Sequence, residues 1–329
     1  MATLIRVAPT RLKSSFIYLA NAVNDLRGNW TLLALVLAPL VIIAAFGLLP
    51  DALDLQHQLA TKFAPGARNV GWIPAQMPYT PSVQDVAPLF PAWVLFLIHI
   101  ILLALTFAVA LLVLCTIRRI QSGGQRGQIL NEAIAIYREA GALVPAFFWI
   151  VFLQLIVPVI AVVLLRMEFR VSVGWMVIAL YLIEVAVLIF AALIFLWLYF
   201  AQYALIFDAK HGFHALLFSR DLMRQRFFRV ATRIVVFLAV WSGYNSWAAG
   251  FFVVVSLIVG PVSVVTGYLW GTIFILDLAA VAVSFATVAF FVVAGLRLYK
   301  DLTANVADDA LSNGEVVLSP AAPLDSATA

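Results

Sequence analysis

The chain has 329 residues, 65% of them hydrophobic and only 11% charged, with a mean hydropathy of +1.07 and a formal net charge of +4. Soluble domains run about 45–50% apolar and about 25% charged, so this composition excludes an ordinary soluble domain. The single cysteine, Cys115, excludes an intrachain disulfide and a cysteine-rich metal cage.

A hydrocarbon core ~30 Å thick is crossed by about 20 consecutive, mostly apolar helical residues. Six runs meet that length: Trp30–Leu49, Ala92–Thr116, Leu143–Leu165, Trp175–Phe200, Ile234–Ile258 and Tyr268–Leu296. They are too long and too evenly apolar for the alternating strands of a membrane barrel. The expected fold is an all-α integral membrane domain of six transmembrane helices over residues 1–302.

Ahead of the first run, Leu12–Leu26 has the pattern of an amphipathic helix and is expected to be retained rather than cleaved as a signal. The segment from Pro50 to Pro91 holds Pro65, Pro74, Pro78, Pro81 and Pro88 and reads as an outer loop, with room for a short helix near Leu53–Phe63. Between the second and third runs, Gly123-Gly124 within QSGGQRGQ reads as a flexible turn before the second interfacial helix and lacks the lysine and preceding strand of a phosphate loop. The tail over 303–329, rich in Ala, Ser and Asp, is expected to be disordered.

Three cytoplasmic stretches precede the odd-numbered runs: LKSSFIYLANAVNDLRGNW, ILNEAIAIYREAG and FHALLFSRDLMRQRFFRV. The chain therefore reads as three repeats of an interfacial amphipathic helix plus a transmembrane hairpin, with interfacial helices near 12–26, 129–140 and 213–229. In the third stretch Phe213, Leu216, Leu217, Met223 and Phe227 follow helical spacing on one face. Arg226, Arg229 and Arg233 follow it on the other, and Arg220 and Arg224 intrude on the apolar side. Those five arginines are candidate contacts to anionic headgroups. A nucleic-acid partner is not expected, because the segment is pinned between two membrane spans.

Sixteen lysines and arginines fall on the side of the termini and of the loops carrying Arg118 and Arg226. Four, Lys62, Arg68, Arg166 and Arg170, fall on the other. The positive-inside rule then puts both termini in the cytoplasm.

Ionisable groups inside a membrane are costly and are functional candidates. His99, Glu184 and Asp277 lie in the second, fourth and sixth runs, following Trp93, Trp175 and Trp270 by 6, 9 and 7 residues. At 1.5 Å per residue each lies about 9–14 Å below its anchor. Together with Gln154 and Asn245 they form a candidate intramembrane polar cluster. The bland alternative is that each aids packing alone. Ser242, Ser246 and Gly250, four apart, are expected to pack the fifth span on the sixth. Asp208, His211 and His214 have a loose metal-ligand spacing without an evident supporting partner, so no metal and no cofactor is expected. No catalytic residue stands out either: an HExxH motif, a nucleophile elbow and a dinucleotide glycine motif are all missing from the sequence.

Ala215-Leu216, Ser219, Leu222 and Arg226-Phe227 make an "AL–S–L–RF" pattern between two spans, echoed at Ser15-Phe16 and Asn29-Trp30. Over most of residues 12–300 this resembles the multi-pass membrane domain found beside bacterial glycerophosphodiester phosphodiesterases and in related stand-alone bacterial membrane proteins. The resemblance implies a six-helix bundle in the bacterial cytoplasmic (inner) membrane. It does not imply hydrolysis, because a catalytic barrel takes ~250 residues and no such soluble stretch is present. Three readings stay open in this order: a non-enzymatic scaffold for lipid or protein, including a further copy of itself; a transporter or channel for an ion or amphipathic molecule; and an enzyme acting on lipid at the interface.

Overall fold

The structure, a computed structural model, describes residues 12–63, 91–123, 129–166, 174–210, 212–224, 226–266 and 269–312. Among these residues every regular element is a helix: α1 (Ser15–Phe63), α2 (Ala92–Gln121), α3 (Ile129–Arg166), α4 (Gly174–Leu198), α5 (Ala201–Phe207), α6 (Phe213–Arg224), α7 (Phe227–Thr266) and α8 (Leu269–Ser312). Six helices are long and apolar enough to cross a membrane, as the six apolar runs predict. Leu, Ala, Val and Ile dominate them, and a helix satisfies each peptide group internally where no water is present to do so.

The element ends differ from the sequence expectation in several places. α1 is continuous from Ser15 to Phe63 except at Asn29, whose φ of −128° and ψ of 15° interrupt the helix. Asn29 Nδ2 donates to the carbonyl of Asp25 at 2.9 Å, the local side-chain bond by which asparagine competes with a regular helix. Beyond the first span, α1 passes through Pro50 and absorbs the short helix expected near Leu53–Phe63, which consists largely of Ala, Leu and Gln. The stretch expected as a separate helix at 129–140 runs without a break into its span as α3. Only the third stretch forms a helix of its own, α6. At the C-terminus α8 continues to Ser312, so the expected disorder from residue 303 is corrected over 303–312. Leu302 and Asn305 are buried, and Asn305 Nδ2 donates to the carbonyl of Asp301 at 2.6 Å. Residues 64–90 of the expected outer loop and 313–329 of the tail lie outside the described residues.

The chain divides into two compact units. The first comprises residues 1–29, 113–238 and 290–329. Its core is built from Tyr18 and Ala22 of α1, Val113–Cys115 of α2, Ile136, Phe147 and Ile150 of α3, Tyr203–Ile206 of α5 and Leu298, Tyr299 and Leu302 of α8. α2 ends at a turn where Gly123 takes φ +82°, open to glycine without steric cost. Arg118 and Arg119 in the last turn of α2 pair with Glu139 at 3.2 Å and Glu132 at 2.9 Å, which fastens the end of α2 to the first turns of α3.

The second unit comprises residues 30–112 and 239–289. Here α1 meets α2 at Gly47, where an added Cβ would sit 3.4 Å from Leu102 Cδ2. α1 meets α8 through Phe46 and Phe274, with ring centroids 5.0 Å apart. Outside these contacts Phe96, Ile101, Trp247, Phe251 and Ile275 are exposed. Water disfavours so much apolar surface, whereas hydrocarbon accepts it.

Candidate functional site

The feature with the most distinct chemistry is the outward face of α6 and the start of α7, within the first unit. α4 ends at Leu198 and α5 begins at Ala201, which leaves peptide groups at the break without helical partners. Ser219 of α6 supplies them. Its Oγ donates to the carbonyl of Trp197 at 2.7 Å and accepts from the Phe200 N–H at 3.1 Å, and the residue is 0% exposed. α6 is thereby locked to the end of a membrane-length helix.

The face of α6 centred on Ser219 is buried: Ala215, Leu216, Ser219, Leu222 and Met223. This corrects the expected apolar face. Leu216 and Met223 point inward, but Phe213 is 66% exposed and Leu217 46%, beside the exposed Arg220 and Arg224. The reason is the serine, whose two hydrogen bonds fix the rotation of the helix and turn residues 213, 217, 220 and 224 outward. α7 continues that surface with Phe228, 83% exposed, and the exposed Arg229. Phe227 lies edge-on to Trp197 at 6.4 Å, so the start of α7 shares the level of the end of α4.

The five arginines separate by partner. Arg220 Nε and Nη2 donate to Asp221 Oδ1 at 3.2 and 3.0 Å. Arg233 donates to the carbonyls of Leu12 at 2.8 Å, Lys13 at 2.9 Å and Arg229 at 2.5 Å, so its guanidinium holds the residues ahead of α1. Arg226 is partly buried and partnered within the chain. The side chains of Arg224 and Arg229 are exposed and make no hydrogen bond or ion pair among the described residues.

The loop joining α5 to α6 is tightly wound. The N–H groups of Asp208 and Lys210 both donate to the carbonyl of Ala204, at 3.1 and 3.2 Å, with Ala209 held at φ +50°. Lys210 Nζ lies 3.1 Å from the centroid of the Phe218 ring. Burial pushes the Lys210 ammonium below its ordinary range, and the neighbouring Asp208 partly opposes that shift.

Sequence reasoning missed a polar hub at the C-terminal end of α8. Arg297 holds Asp25 of α1 through Nε at 2.6 Å and through Nη2. Tyr299 donates its hydroxyl to Asp208, Lys300 donates to Gln121, and Asp301 accepts from Tyr18 and lies 3.9 Å from Lys13 Nζ. The hydrogen-bonded partners Tyr299–Asp208 and Tyr18–Asp301 are 91 and 283 residues apart along the chain, so no local pattern announces them. The charges of Arg297 and Lys300 carry only topological information in the sequence.

The residues of the candidate polar cluster fall in both units. Gln154 is 5% exposed and its Nε2 donates to the carbonyl of Leu198. His99 is exposed on α2. Asn245 and Asp277 are partly buried, and Asp277 Oδ2 is inaccessible with no hydrogen-bond partner among the described residues. The Glu184 side chain lies outside the described residues. Gln154 and Glu184 belong to the first unit and the other three to the second. Ser242, Ser246 and Gly250 are exposed, and a Cβ on Gly250 would meet nothing within 4 Å, so this small-residue stripe is open. Asp208 is bonded by Tyr299, His214 is exposed, and His211 lies outside the described residues. Among the described residues no group of three His, Cys, Asp or Glu side chains is placed to hold a metal.

No protein-family model, curated protein or solved structure matches the chain.

Proposed function

We propose that this protein is a non-enzymatic scaffold of the bacterial cytoplasmic membrane, crossing it six times with both termini in the cytosol and engaging lipid or a protein partner through its basic end. The observation that carries the reading is the outward face of α6 and α7, where exposed phenylalanines alternate with arginines at the end of a membrane-length helix. A surface of that kind is at home where headgroups meet acyl chains. The threefold repeat of interfacial helix plus hairpin belongs to this proposal, with α6 as its clearest instance. So does the resemblance to the membrane domains beside bacterial glycerophosphodiester phosphodiesterases.

Purification in native lipid followed by mass spectrometry of what co-elutes tests the reading. The scaffold reading expects anionic phospholipid or a stoichiometric protein partner to stay bound. Recovery of the protein with neither would contradict it.

A second reading, transport of an ion, is favoured by one observation, an Oδ2 of Asp277 that has no hydrogen-bond partner among the described residues, inside a membrane-length helix. It predicts ion flux into vesicles holding the purified protein, abolished by Asp277→Asn. Vesicles that stay tight with the unaltered protein would remove it.

A further inference from the structure

We propose that Arg224 and Arg229 grip the phosphate of an anionic phospholipid of the phosphatidylglycerol type, with Phe228 inserted among its acyl chains. The inference rests on the reading that the basic end of the protein lies in a leaflet, and it assigns residues and a lipid class to that contact.

The argument begins with charge. Residues 213–233 hold five arginines and one acid, Asp221. That acid is already held by Arg220. Arg233 is bound to three backbone carbonyls, and Arg226 is partnered within the chain. Among the described residues the guanidinium groups of Arg224 and Arg229 have no acid partner, and both are exposed. A guanidinium presents a planar fork of donors matched to phosphate oxygens and loses little hydration on binding them.

Position selects the source of the phosphate. Phe213, Leu217 and Phe228 are exposed on the same helices. Free phosphate would bind the arginines and leave those side chains in water, whereas a phospholipid offers a phosphate and a hydrocarbon surface together. Ser219 and the Trp197–Phe227 pair hold α6 and the start of α7 at the end of α4, where a headgroup is within reach of an arginine stem. The expected five-arginine contact therefore contracts to two residues, because the other three have partners inside the protein.

The full chain, delipidated in an uncharged detergent, is titrated with phosphatidylglycerol and with phosphatidylcholine, and native mass spectrometry reads the binding of the first lipid. Each arginine near a headgroup contributes about fivefold, so Arg224→Ala/Arg229→Ala weakens phosphatidylglycerol binding about thirtyfold and leaves phosphatidylcholine unchanged. Arg224→Lys/Arg229→Lys keeps the charge without the fork and recovers part of the loss. Unchanged phosphatidylglycerol binding in the alanine pair would overturn the inference, as would equal losses for both lipids. Displacement of the bound lipid by a millimolar excess of inorganic phosphate would overturn the assignment to a lipid. If the paired variant does not yield monodisperse protein, Arg224→Ala alone decides, with a loss of about fivefold expected. Labelling of Ser122→Cys from the outer face would bring down the underlying reading. Intact lipid binding by the alanine pair, with Ser122→Cys labelled only from the cytosol, would bring down this inference alone.

Discussion

Gly295 has no room for a side chain. An added Cβ would sit 2.3 Å from the Tyr203 hydroxyl and 2.9 Å from that of Tyr199. Both rings belong to the buried aromatic group around Phe200 and Tyr299, so neither swings aside cheaply. Gly295→Ala is expected to lower stability by about 1–3 kcal/mol, read as an earlier thermal unfolding transition in detergent. An unchanged transition would show that the rings yield. Ala209 gives the opposite case. Its φ of +50° puts a Cβ in left-handed backbone, a strain of about 1–2 kcal/mol for an L residue. Ala209→Gly relieves the strain, and a later unfolding transition checks it. Neither position was legible in the sequence. The Gly295 contact depends on tyrosines about ninety residues away along the chain, and nothing in DAKHG says which residue turns left-handed.

At the scale of the element, α6 depends on Ser219 more than on its apolar periodicity. The sequence pattern expects one helix near 213–229 from the spacing of Phe213, Leu216, Leu217, Met223 and Phe227, whereas α6 spans Phe213–Arg224 and Phe227 opens α7. The pattern also misplaces the buried face, because a hydropathy pattern gives a serine no inward weight. Ser219→Ala leaves the Trp197 carbonyl and the Phe200 N–H without this partner, at a cost of about 1–3 kcal/mol. Faster amide hydrogen exchange across α6, with α2 and α3 unaffected, is the expected signature. Exchange faster throughout would mean that the serine supports the whole unit. Arg233 is a comparable fastening. Its removal as Arg233→Ala frees the carbonyls of Leu12 and Lys13 and is expected to expose the segment ahead of α1 to limited proteolysis. Cleavage unchanged from the parent protein would contradict that role. The sequence assigned Arg233 to lipid because it follows Arg226 and Arg229 on one helix face, and sequence spacing carries no information about a partner some 220 residues earlier.

For the molecule as a whole, the six spans were the most legible feature. Twenty-residue apolar runs have few alternatives to a membrane helix. Their extensions were less so. A kink such as Asn29 and a continuation such as α8 to Ser312 turn on single side-chain bonds and on burial. The candidate polar cluster was the least legible, because depth along a helix says nothing of the direction a side chain takes. Gln154, read as a cluster member, donates to the carbonyl of Leu198 at the end of α4, a bond that its depth in the span does not announce.

Single-cysteine labelling tests the account most directly, in a Cys115→Ser background with cysteines placed one at a time at Ser82, Ser122 and His214. The account predicts that a membrane-impermeant maleimide applied to intact cells labels position 82 and spares 122 and 214, which react only after the membrane is opened. Labelling of Ser122→Cys and His214→Cys from opposite sides would contradict it, because the helices between them would then cross an odd number of times.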